Sequence, residues 1–164
     1  MIVEPLELPG VVALVNSWAS TPRAVDPSGA RTVPEPAPGV ADTLFEVFAA
    51  DDDEQRAELV AALLAQAGVR PSMRWADGHA RESWLVDEPG QAGLAAAALA
   101  LRAHLAAHPG RLGVCMDDQC ADVYADASPG GHRRFCSLTC QSRTRTAAFR
   151  RRKAGLPTPG KSAG

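Results

Sequence analysis

The sequence predicts a mainly α protein in two parts. An α-rich body occupies residues 1–110, and residues 111–153 form a small treble-clef-like module, a β-hairpin followed by a C-terminal helix; residues 154–164 read as a disordered tail. Three observations point there. Apolar residues recur at helical spacing through the first part, where alanine supplies much of the apolar content and aromatics make up only 5% of the chain. All four cysteines, Cys115, Cys120, Cys136 and Cys140, fall close together near the end. Charge divides at the same place: residues 1–110 carry 7 Arg or Lys against 15 Asp or Glu, and residues 111–164 carry 10 against 4. A formal net charge of −2 therefore conceals an acidic body and a basic end.

The elements follow in order. PGVVALVNSWAS places Val11, Leu14, Val15 and Trp18 on one helical stripe. Thr21 to Gly39 is too rich in proline and glycine for regular structure and reads as a long surface loop. Asp42 is positioned to cap a short helix carrying Leu44, Phe45 and Phe48. DDDEQRAELVAALLAQAG opens with acidic residues that suit a helix N-terminus, shows Leu59, Leu63 and Leu64 on an apolar face, and stops at Gly68. SMRW and ESWLVD, between residues 69 and 90, fit short strands or helix ends. GQAGLAAAALALRAHLAAHPG is a helix with Leu94, Leu101 and Leu105 along one side and Pro109-Gly110 as its stop. In the module, VCMDDQC is a tight turn, VYAD and RRFC pair as a hairpin across ASPGGH, and SLTCQSRTRTAAFRRRK is the terminal helix.

The cysteine spacing Cys-x4-Cys-x15-Cys-x3-Cys suits a metal. Tetrahedral zinc takes four thiolates from two tight elements brought together by an intervening hairpin, and the module is too poor in large apolar residues to fold on burial alone. The expectation is one structural Zn2+ per chain on Cys115, Cys120, Cys136 and Cys140, with Cys136 ending a strand, Ser137 capping the helix and Cys140 in its first turn. An iron–sulfur cluster and redox-paired thiols stand as alternatives. Four cysteine ligands close the shell, so catalysis at the metal is not expected. No phosphate-binding glycine loop or nucleophile elbow is present, and the protein is read as no enzyme. No run of about 18 apolar residues exists, and acidic residues stand where a secretory leader would be basic; the reading is a soluble, cytoplasmic protein with no membrane partner.

From His132 to Lys153 the chain holds Arg133, Arg134, Arg143, Arg145, Arg150, Arg151, Arg152 and Lys153 and no acidic residue. Such a helix repels itself unless something negative lies against it, and double-stranded DNA is the expected partner for these eight side chains. At 100° per residue Arg143, Ala147 and Arg150 share one side, while Leu138, Arg145, Phe149 and Arg152 share another. The expectation is that Leu138 and Phe149 pack on the module and Arg143 and Arg150 face the groove. His132 is read as a solvated or phosphate-facing histidine, and His104 and His108 as surface residues near a helix end. Trp18, Trp75 and Trp84 are read as core or interface anchors, with an effector pocket in the N-terminal domain as the functional alternative.

VCMDDQCADVYADASPGGHRRFCSLTCQSRTRTAAFRRRK resembles the CGNR zinc finger, a bacterial C-terminal module. Asp126, Ser128, Arg134, Cys136, Ser137, Cys140 and Arg143 match its pattern as they stand. LPGVVALVNSWAS and the helical middle are similar to the ABATE domain that precedes this finger in stress-induced transcriptional regulators. Where the family has Gly-Asn after the last cysteine, this chain has Gln141-Ser142. The resemblance implies a bacterial-type DNA-binding transcriptional regulator whose N-terminal domain senses an effector or binds a partner. A single finger implies a homodimer for useful DNA affinity. Two other readings of the basic helix stay open: a zinc-stabilised protein-interaction module docking on an acidic partner, and an RNA binder.

Overall fold

The structure, a computed structural model, describes residues 1–155. Helix takes 49% and strand 14% of the described residues. Its axis is α5 (Ala92–Ala107), where every residue from Leu94 to Leu101 is buried. A helix buried on all sides must be apolar all round, and here alanine does that at little volume, so neighbouring elements approach closely while Leu94, Leu99 and Leu101 fill the gaps. Around it pack α1 (Leu8–Trp18) through Val11 and Val15, α3 (Val40–Ala49) through Leu44, Val47 and Phe48, and α4 (Asp53–Gln66) through Val60 and Leu63. Leu44 and Phe48 are almost fully enclosed, worth about 1.5–3 kcal/mol each for leaving water. Asp52 caps α4, accepting a hydrogen bond from Gln55 N–H at 2.8 Å, and Gly68 ends the run with φ 64°.

A three-stranded antiparallel sheet flanks α5 in the order β1 (Ile2–Val3), β3 (His79–Leu85), β2 (Arg70–Ala76). The segments SMRW and ESWLVD are thus strands of one hairpin, with Met73 opposite Glu82 and Ala76 opposite His79. Its two-residue turn, Asp77-Gly78, has positive φ at both positions, which is the twist-compatible hairpin turn that Asp-Gly favours.

The structure departs from the sequence reading in three places of the body. The stretch from Thr21 to Gly39 is not wholly irregular: Ser20–Val25 forms α2. Asp42 does not cap its own helix, whose N-cap is Gly39; its carboxylate accepts from Ser20 N at 2.6 Å and Ser20 Oγ at 3.1 Å, satisfying the free start of α2 instead. Trp75 is no core anchor, being 77% exposed on the edge strand β2. Trp18 donates to the Val33 carbonyl and stacks under Arg31, while Trp84 lies against Arg102.

After α5 the chain enters a second, two-stranded sheet, β4 (Leu112–Val114) with β5 (Val123–Ala125). This corrects the expected hairpin of VYAD with RRFC. The far edge of β5 is already taken, because Asn16 of α1 accepts from Val123 N at 2.7 Å and donates to Val123 O at 3.1 Å. Leu112 supplies an apolar partner on the near side, and Leu112 and Val123 join the same core as α1 and α3. RRFC instead wraps as an irregular segment whose Arg134 carbonyl accepts from Met116 N. The last element is α6 (Leu138–Lys153). Of the expected tail, residues 156–164 lie outside the described residues.

Candidate metal centre

Two tight turns bring the cysteines together. In the first, Cys115 leaves β4, and Asp117 folds the chain back. Its carboxylate accepts from Gln119 N and its carbonyl from Cys120 N, both at 3.0 Å, so Cys120 returns beside Cys115. In the second, Ser137 caps α6 by accepting from Cys140 N at 3.2 Å, which presents Cys136 just before the helix and Cys140 on its first turn. Cys136 precedes the helix from an irregular segment and does not end a strand.

The four sulfurs lie within 4.8 Å of one another. Cys136 Sγ is 3.6 Å from both Cys120 Sγ and Cys140 Sγ, too far for a disulfide. Tetrahedral zinc with thiolates at about 2.3 Å needs sulfurs about 3.8 Å apart, so the cluster fits one zinc ion on Cys115, Cys120, Cys136 and Cys140. The protonation chemistry agrees. Burial pushes the Cys120 thiol up to about 12, and burial together with hydrogen bonding to Cys140 and Cys120 raises Cys136 well above the usual thiol range. For Cys115 burial acts the same way, but N–H groups of Cys136 and Asp117 aimed at its sulfur outweigh it and lower its pKa. Crowded thiols of this kind become four thiolates only around a cation.

Asp117 also organises the space behind the sulfurs. It is buried and accepts from Arg143 Nε at 2.6 Å, and Arg143 Nη2 donates to Cys140 Sγ at 3.4 Å. Burial alone would raise the Asp117 carboxyl, but the Gln119 N–H and the Arg143 guanidinium hold it below the usual carboxylate range. Arg143 thus reaches back to the metal site while remaining 41% exposed. Arg151 lies 3.5 Å from Asp118 in an ion pair at the surface. Cys120 and Cys140 are joined in this way through Asp117 and Arg143 as well as through the metal position. The sequence reading missed Asp117, although an aspartate two residues past the first cysteine of a tight turn and an arginine three past the last are both visible in the string.

The segment leading to Cys136 is held by Asp126, whose carboxylate is buried and accepts from Ser128 N at 2.8 Å and Arg133 N at 2.9 Å, with Arg111 3.8 Å away. The interaction with Ser128 leads these in holding its pKa down to about 2. Arg133 likewise reaches back to the chain, donating to the carbonyls of Phe135, Ala125 and Cys136 and stacking on Tyr124. It braces backbone while its charge, facing neutral carbonyls and no carboxylate among the described residues, stays uncompensated on an exposed side chain.

The faces of α6 differ from those expected: the Leu138 and Phe149 side is outward and Ala147 is turned inward, while Arg150 is exposed as expected. Cys140, Thr144, Ala147 and Arg151 point toward the module, whereas Leu138 is 80% and Phe149 60% exposed. The ligand sets the rotation of the helix: once Cys140 faces the metal position, Leu138, two residues earlier, must point away. α6 packs on no other helix or strand. Arg134, Arg145, Arg150, Arg152 and Lys153 are exposed, and among the described residues no hydrogen bond or ion pair engages their side chains. His132 is exposed in its turn, beside a recess of about 440 Å³ shared with Arg134, Leu138 and Gln141. Gln141 and Ser142 lie on the outward half of the helix, away from the sulfurs.

A larger cleft of about 1410 Å³ runs between α1–α2 and the module, past Leu8, Val12, Val25 and Tyr124 to the cysteines. None of the three tryptophans lines it. Among the described residues no helix is long and apolar enough to cross a membrane. The family model described as CGNR zinc finger matches residues 111–153, which comprise β4, β5, both cysteine turns and α6. Among curated proteins no sequence matches the chain.

Proposed function

We propose that this chain is a DNA-binding transcriptional regulator, a binding protein and not an enzyme, whose zinc module carries α6 to duplex DNA. The body, with its ABATE-like opening, serves sensing or partner binding in this reading. One observation carries it: α6 projects free of every other element and presents Arg145, Arg150, Arg152 and Lys153 to solvent with no acidic residue along its length. A helix that carries four cations without partners among the described residues is complementary to a phosphate backbone. Zinc, when bound, supplies the cross-link between the Cys115–Cys120 turn and the start of α6. Asp117 and Arg143 fix the helix azimuth, Asp126 and Arg133 brace the approach to Cys136, and Arg134 adds charge beside the helix N-terminus.

Arg133, Arg143 and Arg151 already have acceptors within the chain, so the cations of α6 without a partner among the described residues are Arg145, Arg150, Arg152 and Lys153. The zinc-loaded protein should retard duplex DNA, with log affinity falling against log salt at a slope of about −3 to −4 for the four outward cations of α6. Absence of retardation of any duplex at about 50 mM salt overturns the reading. The exposed Leu138 and Phe149 favour a second one, a protein-interaction module, which that negative result would support.

A further inference from the structure

The outward stripe of α6 is not simply basic. At 100° and about 1.5 Å per residue, Leu138 and Phe149 lie within about 20° of the same line and about 16 Å apart. Arg145 falls between them on that line, Ser142 and Arg152 about 40° to either side. Leu138 and Phe149 are among the most exposed large apolar side chains of the described residues. Placed there they gain nothing from the core, and they interrupt a cationic surface at its centre.

The interleaving narrows the occupant. A helix that lies on a lipid surface gathers its apolar residues into one broad sector with cations at the margins. Here two apolar side chains alternate with cations on a single narrow line, which matches a surface that itself alternates negative charge with small apolar points. Duplex DNA is such a surface. Its major groove, about 12 Å wide, admits an α-helix, and the one apolar group it displays is the 5-methyl of thymine. A span of about 16 Å along the groove corresponds to about five base steps of 3.4 Å.

We propose that Leu138 and Phe149 are specificity-determining residues that contact the 5-methyl groups of two thymines about five base pairs apart, while the cations around them hold the phosphates. The inference rests on the DNA-binding reading above and deepens it.

The test uses the full zinc-loaded chain and two 30-base-pair probes, an alternating dA-dT duplex and the same duplex with every thymine replaced by deoxyuridine, which removes only the methyl groups. Fluorescence anisotropy at one fixed salt should show the thymine duplex bound about five- to tenfold more tightly. Leu138→Ala with Phe149→Ala should abolish that preference. Both positions are outside the core, so the double variant should keep its zinc content and melting temperature, and its salt slope should stay that of the wild type. Equal binding of the two duplexes by the wild type, or an undiminished preference in the double variant, overturns this inference while the DNA-binding reading stands. Binding of neither duplex at about 50 mM salt overturns both. In that case loss of self-association or of a protein complex in the double variant would mark the stripe as a protein-docking face.

Discussion

Replacing Asn16 with alanine tests whether the body and the cysteine module are one cooperative structure. Asn16 sits on α1 and spends both ends of its amide on a single residue 107 positions away, accepting from Val123 N at 2.7 Å and donating to Val123 O at 3.1 Å. Val123 is 1% exposed and belongs to the core shared with α1 and α3. The alanine leaves a donor and an acceptor on β5 unpaired. Each such loss costs about 1–3 kcal/mol when buried. Asn16 also borders the open cleft, where water can reach part of the gap, so a total of about 2–3 kcal/mol is expected. For a chain of this size about 2–4 °C of melting temperature follows each kcal/mol, giving a drop of about 4–12 °C in the zinc-loaded protein by far-ultraviolet circular dichroism. The same connection predicts that extracting zinc with a chelator lowers the transition of the whole helical signal, because the hairpin that carries Cys115 also carries Leu112 and Val123 into the core. A variant melting within about 1 °C of the wild type, with chelation leaving the helical transition unmoved, would refute the reasoning and make the module an independent appendage.

Two further perturbations separate roles within the module and body. Arg143→Lys keeps the charge but loses the fork that reaches Asp117 and Cys140 together. It should weaken zinc binding in a chelator competition by about tenfold or more while leaving the salt dependence of DNA binding unchanged; a flattened salt slope with normal zinc affinity would return Arg143 to the phosphates. His104 has its pKa lowered from 6.5, first by burial and then by His108 and Arg111, and its Nε2 is buried without a partner among the described residues. As pH falls below 6.5 the unfolded chain takes a proton that the native state resists, so native stability declines on acidification and is recovered as pH rises. The stability difference between wild type and His104→Gln should therefore change between about pH 7.5 and 5.5, moving in favour of the variant at the acid end; a pH-independent difference would exclude His104 as a source.

What could be read directly were features whose causes are local. The helices α1, α4 and α5 follow from apolar period, with an acidic start for α4 and glycine stops after α4 and α5. Ser137 as cap, Cys140 on the first turn and the four-thiolate site follow from spacing alone, because a metal with fixed geometry converts four separated cysteines into one local constraint. The hairpin of β2 and β3 is legible in Asp77-Gly78, a strong two-residue turn signal, although the flanking strands RPSMRWA and HARESWL are too polar to show a clear apolar period. The azimuth of α6 is legible too: with Cys140 on the metal, Leu138 must point outward and Arg143 toward the site, a stronger constraint than the apolar stripe.

Tertiary structure decided the pairings made across long stretches of chain. Nothing near β5 in the sequence says that Asn16 will take its outer edge and leave β4 as its partner, nor that Asp42 will cap α2 across 22 residues. Each depends on backbone groups left unpaired by one element being met by a side chain that folding brings from another, and hydrogen-bonding capacity of that kind is invisible until the elements are in place. The same holds for charge. Eight basic residues of the module's last stretch are chemically alike in the string, but buried Asp117, the carbonyls around Cys136 and the position of Asp118 give Arg133, Arg143 and Arg151 partners within the chain and leave Arg134, Arg145, Arg150, Arg152 and Lys153 without one among the described residues.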